Sequence, residues 1–207
     1  IVPDIVVYSK SFGGGKSSIS GYTTTKALFN SSYGNTNDAL MHSTTYNAFG
    51  EETLTAIVAI EVAMEEEFEK KSKNLQNLLE TGFKKLSERY EFFHSFAGMG
   101  ALYGLEFELP ELYKQLEKIF QNLDKKFFKK LYVGALIDHL YSEHNILTYF
   151  TDNKKVCLAI SPSLITTEKD INNLFDSLDK TFDKNQFSLV NKFITNVGIG
   201  NLKLIFN

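Results

Sequence analysis

From Glu51 to Tyr90 no proline interrupts the chain, and its apolar residues recur at helical spacing. Leu54, Ile57, Val58, Met64 and Phe68 fall near one face, and Leu75, Leu79, Phe83, Leu86 and Tyr90 continue the pattern. A helical stretch of this length excludes an all-β design and sets the remaining elements before and after it. The first part, to Met64, is apolar nearly all round, which predicts burial. Glu65-Glu66-Glu67 followed by Lys70-Lys71 reads as a solvated face rather than a site.

Short β candidates lead into this region. Ile5-Val6-Val7-Tyr8 predicts a short buried strand that ends at Ser9-Lys10 and the run Gly13-Gly14-Gly15. Ile19 to Thr24 predicts a second strand, and the polar stretch Asn30 to Asn37 a loop. After it, Ala101 to Leu109 predicts a strand stopped by Pro110. Leu112, Leu116, Ile119, Leu123, Phe127, Leu131 and Leu140 then predict a long helical region broken near Gly134. Ile146–Phe150 and Val156–Ile160 predict a hairpin around Asp152-Asn153, and residues 168–182 an amphipathic helix. Phe187, Val190, Ile194 and Val197 continue helical spacing in the tail, until Gly198 and Gly200. The order is α/β, then helix, then α+β.

Composition narrows the function. A net charge of −3 offers no basic field for nucleic acid, and no apolar stretch approaches a membrane span. One cysteine, Cys157, rules out a disulfide scaffold, and in a strand it reads as a small buried hydrophobe. His94, His139 and His144 lack metal-ligand spacing, so no metal is expected. Of 22 basic residues only Arg89 is an arginine, so no spare guanidinium fork is on offer for a carboxylate.

Three segments could carry chemistry. Lys10 follows an apolar strand and precedes glycines that allow close approach of a bulky ligand; desolvation there would free its amine as a nucleophile. A solvated strand-end lysine is the competing reading. Gly15-Lys16-Ser17 hints at a phosphate loop, but the Walker pattern needs glycine where Lys10 stands and a helix where Ser18 to Thr24 looks β. His42-Ser43-Thr44-Thr45-Tyr46 places hydroxyls before the long helix, as an anion site or as ordinary capping and turn chemistry.

Taken together, these segments resemble the class III pyridoxal-phosphate-dependent aminotransferases of fold type I. Pro3 to Gly15 is similar to their lysine signature: an acid, two apolar residues, a small residue directly before the lysine, then glycines. His42 to Tyr46 resembles their phosphate loop. Phe96 to Phe107 resembles the glycine-bearing strand entering the small domain, and Val156 to Thr167 the strand and Pro-x-Leu-x-x-Thr turn before the last helix.

The resemblance implies an α/β fold forming the C-terminal portion of a pyridoxal-phosphate-dependent transferase. Residues 1–50 would end the cofactor-binding large domain, 51–90 form connecting helices and 91–182 the small α+β domain. Residues 183–207 would be a tail of unknown role. The resemblance further implies that Lys10 forms the internal aldimine with pyridoxal 5′-phosphate and that Thr45, beside Thr44, binds its phosphate across a dimer interface. The expected activity is transfer of an amino group from an amine or amino acid to a carbonyl acceptor, in a cytoplasmic homodimer with no nucleic-acid or membrane partner. Aminomutase or decarboxylase chemistry on the same scaffold would share Lys10.

Departures from the family pattern qualify these implications. Ala97, and Leu158 or Ala159, stand where many relatives carry arginine, and Asn47-Ala48-Phe49-Gly50 replaces the usual Gly-Gly-Asn-Pro. The family's glycine turn, ring-stacking aromatic and pyridine-pairing aspartate all lie upstream of the lysine. The expectation is therefore a fragment lacking its N-terminal half, inactive alone. The alternative is a non-catalytic folded remnant or interaction module.

Overall fold

The β-branched run Ile5-Val6-Val7 forms strand β1 (Ile5–Tyr8), paired antiparallel with β2 (Gly21–Thr24) so that Ile5 faces Thr24 and Tyr8 faces Gly21. The computed structural model describes residues 1–38, 40–47, 49–118, 124–198 and 201. Two compact units emerge, Ile1–Phe68 and Glu69–Asn207.

In the first unit a 3₁₀ turn, Lys10–Gly13, joins the strands, and helix α1 (Lys26–Tyr33) follows, capped by Thr25 Oγ1 accepting from the Leu28 N–H. This helix takes up the first part of the stretch expected as loop, because the Thr25 cap satisfies its open amino end. Helix α2 (Gly50–Glu65) comes next. The expectation of burial fails for both apolar segments. Ile5 and Val7 of β1 are exposed, and of α2 only Ala56 is buried, with Leu54 62% and Met64 75% exposed. Among the described residues of the unit, β1 has β2 as its one strand neighbour and α2 packs on the 3₁₀ turn, which leaves most of both apolar faces uncovered.

The helical stretch comprises two helices. Glu67 adopts a left-handed backbone (φ 49°), and α3 runs from Phe68 to Arg89. In the second unit, α3 buries Leu75, Leu79, Phe83 and Leu86, as its periodicity predicts. Strands β3 (Phe93–Met99), β4 (Leu102–Phe107), β5 (Tyr149–Asp152) and β6 (Val156–Ile160) form an antiparallel sheet in the order β3-β4-β6-β5. Gly100, at φ 61°, turns β3 into β4, where a Cβ would press on Ser72 Oγ at 2.4 Å.

Alternate residues of β4 (Tyr103, Leu105 and Phe107) face the helices. Phe83 of α3 meets Tyr103 at 5.5 Å between ring centres, and Phe107 meets Tyr132 at 5.4 Å and Phe182 at 5.6 Å. Helices α4 (Pro110–Glu117), α5 (Lys125–His144), α6 (Glu168–Phe182) and α7 (Gln186–Val197) complete this unit.

Gly134 does not break α5. It is buried among Leu131, Tyr132, Val133 and Leu136, and that packing outweighs a glycine's helix cost of about 1 kcal/mol. The interruption lies earlier, where Asp124 caps α5 through the Phe127 N–H. Ile119, Leu123 and Gly200, read as part of helical and tail patterns, lie outside the described residues.

Candidate active site

The first unit builds a cleft of about 1330 Å³ from the two segments whose apolar faces are uncovered. Tyr8, Lys10, Phe12 and Gly14 line one side; Leu54, Val58 and Val62 of α2 line the other. The lysine is set there by backbone geometry. Ser9 is extended, Lys10 turns into the left-handed region (φ 57°), and the Phe12 N–H donates to the Ser9 carbonyl at 3.2 Å. Such a conformation costs a non-glycine residue about 1–2 kcal/mol, which the surrounding structure must repay. Tyr8 and Phe12 stack across the turn at 5.3 Å.

The glycines after Lys10 have separate reasons. At Gly13 a Cβ would lie 2.7 Å from Ser17 Oγ, while Gly14 and Gly15 sit at φ 62° and 72°. The Gly14 N–H closes the turn on the Ser11 carbonyl at 2.9 Å. No helix follows Lys16-Ser17, which removes the phosphate-loop reading.

The Lys10 side chain is exposed and makes no hydrogen bond or ion pair among the described residues. Of the two readings of Lys10, a desolvated amine or a solvated strand-end lysine, its exposure in this chain matches the solvated one. Its unpaired amine belongs to the lining of an apolar cleft.

Thr44 and Thr45 lie apart from that cleft's lining, in a turn closed by the Asn47 N–H donating to the Thr44 carbonyl at 3.1 Å. Both are exposed, and neither hydroxyl is hydrogen-bonded among the described residues. His42, at the start of the segment, stacks on Tyr22 of β2 at 5.6 Å. Helix α2 begins without a side-chain cap on its N–H groups, but Glu51 and Glu52 occupy its first turn. The positive end of its dipole is partly spent on those carboxylates. The lysine lines the cleft and the two hydroxyls do not.

These residues fit an aldehyde-bearing, phosphorylated cofactor in part: an unpaired amine, a left-handed turn with glycines that keep side chains away, and unbonded hydroxyls. Nothing in the sequence signalled Lys10's backbone conformation, nor that α2 would wall the cleft.

In the second unit, Arg89 is already committed. It donates from Nη1 to both carboxylate oxygens of Asp179, at 2.9 and 2.7 Å. Cys157 is half-buried on β6, and burial pushes its thiol up. Among the described residues no group of three His, Cys, Asp or Glu side chains is placed to hold a metal ion. No helix there is long and apolar enough to cross a membrane.

Comparisons with known proteins agree with this geometry. The family described as "Aminotransferase class-III" matches residues 1–182. The aminotransferase PigE of Serratia sp. (strain ATCC 39006) is 24% identical over 218 residues, which span 89% of this chain and 25% of PigE. A transaminase from the marine bacterium Virgibacillus superposes with a TM-score of 0.71 at 17% identity, over 93% of this chain and 41% of that one. A PLP-bound amine transaminase from an uncultivated Pseudomonas species gives 0.69 at 16% identity, over 87% and 38%. The fold is thus the mixed α/β fold of part of a transaminase, and the chain spans about a quarter to two fifths of these relatives' lengths.

Proposed function

The chain belongs to the class III aminotransferases, and on that basis we propose that it is the C-terminal half of an enzyme that transfers an amino group from an amine or amino acid to a carbonyl acceptor. The observation that carries this reading is Lys10: an unpaired amine, held on a left-handed turn beside an apolar cleft, inside the matched segment. In the longer protein, pyridoxal phosphate supplies an electron-withdrawing ring that makes the substrate's Cα–H acidic.

The rest belongs to the residues. Lys10 Nζ would hold the cofactor and, with its amine free, would take the proton from the substrate's Cα and deliver it to the cofactor's C4′. Gly13 to Gly15 keep side chains away from the bound ring. Leu54, Val58 and Val62 exclude water from that side of the cleft. Thr45 and Thr44 donate hydroxyl hydrogen bonds to the phosphate of the neighbouring subunit's cofactor in a two-fold dimer. That assignment accounts for their distance from this chain's own cleft lining. Because Arg89 is held by Asp179, a carboxylate on the amino donor is recognised by groups outside this chain.

Borohydride reduction of the full-length protein loaded with pyridoxal phosphate should fix one pyridoxyl group on Lys10, located by peptide mass spectrometry. Equal labelling in Lys10→Ala would refute the assignment. Chain length favours a second statement, that the 207-residue chain alone is inactive. Titrating it with the cofactor should give no saturable, Lys10-dependent absorption band.

A further inference from the structure

We propose that the cleft between α5 and α7 in the second unit binds a phosphate-bearing small molecule. It measures about 670 Å³, ample for a phosphate group and a small organic body. Its lining joins His139, His144 and Lys180, inside the segment matched by the family, to Lys184, Asn185 and Lys192 beyond it, and it shares no residue with the Lys10 cleft.

The primary observation is His139. It is 7% exposed, lines this cleft, and its Nε2 is buried with no hydrogen-bond partner among the described residues. An orphaned ring nitrogen of this kind costs stability unless something fills its valence.

The charges facing it are unbalanced once pairs are removed. Glu143 accepts from Lys192 Nζ at 3.0 Å, and Asp183 lies 3.8 Å from Arg89 Nη2. Lys180 and Lys184 have no ion pair among the described residues, and the His144 ring stands edge-on to His139 at 5.6 Å. The carbonyls at the end of α6 are already taken. Asp179 O accepts from the Asp183 N–H, Thr181 O from the Lys184 N–H and Phe182 O from Gln186 Nε2. The positive end of α7 opens here, with Asn185 Oδ1 capping the Ser188 N–H at 2.9 Å.

Two unpaired ammonium groups, a helix amino end and the buried His139 ring line one cleft, and a phosphate suits that set. Burial first, and Lys184 second, hold His139 below its ordinary value. A bound anion offsets Lys184 and raises it.

The test is carried out on the 207-residue chain with inorganic phosphate and with glycerol phosphate, at ionic strength matched by sodium chloride. Histidine side-chain NMR follows the binding. The expected result is a saturable shift of His139 with a raised titration midpoint, and binding about tenfold weaker in Lys184→Ala and in Lys180→Ala. Saturation by inorganic phosphate identifies a free-anion site, and saturation by glycerol phosphate alone an ester site; either supports the proposal. No saturable shift, the same shift with chloride, or undiminished binding in a folded Lys184→Ala would overturn it. Lys184 is exposed, so that variant reads binding without disturbing the core.

Discussion

Glu106 shows how one side chain's surroundings fix its charge. It sits on β4 at 7% exposure, receives a hydrogen bond from Lys155 Nζ at 2.6 Å and from Ser95 Oγ at 3.3 Å, and faces Lys129 Nζ at 3.5 Å. Burial alone would raise its carboxyl, but Lys155, Lys129 and Ser95 together outweigh burial and lower it below the ordinary 4.5. A depressed folded value stabilises the fold above the unfolded value, and that contribution is lost as pH falls through the folded one. Lys155→Met should therefore lower stability at pH 7, by an amount limited because Lys155 is 64% exposed. The difference from wild type should shrink once Glu106 is protonated. Urea unfolding followed from pH 7 into acid measures this, and a deficit that never shrinks would contradict it.

Helices α3 and α6 meet at a glycine. A Cβ on Gly82 would fall 2.1 Å from Phe175 Cζ, so Gly82→Ala should lower stability by about 1–2 kcal/mol despite alanine's better helix propensity. Phe175→Leu in the same chain should recover most of that in thermal unfolding. At the start of α6, Thr167 Oγ1 accepts from the Asp170 N–H at 3.2 Å, and Asp170 Oδ2 accepts from the Thr167 N–H at 3.0 Å. Thr167→Ala should cost about 1 kcal/mol, read from the shift in urea midpoint. These elements were legible in the sequence because each carries its own signal: the α3 stripe from Leu75 to Leu86, the Pro162-to-Thr167 turn, the hairpin around Asn153. The breaks at Glu67 and Asp124 were less so, since acidic residues also suit a helix surface. Lys10's place after a strand could be read from its neighbours. Its left-handed backbone could not, because it depends on the Ser9–Phe12 bond and the Tyr8–Phe12 stack, which form only in the folded chain.

The two units differ in how much they bury. Among the described residues, Ala56 is the one buried hydrophobic side chain of Ile1–Phe68, while Glu69–Asn207 holds a continuous aromatic and aliphatic core. Hydrogen exchange on the isolated chain should therefore show amides of residues 1–68 exchanging far faster than those of α3, β4 and α5. Equal protection in both units would contradict the burial pattern. If the chain is half of a longer transferase, the full-length protein should protect β1 and α2. The solitary arginine has a consequence of its own. A dicarbonyl reagent that modifies guanidinium groups has a single address in these 207 residues, at the Arg89–Asp179 junction of α3 and α6. Loss of amino-group transfer on such labelling, without modification of Arg89, would trace to an arginine that this chain does not carry.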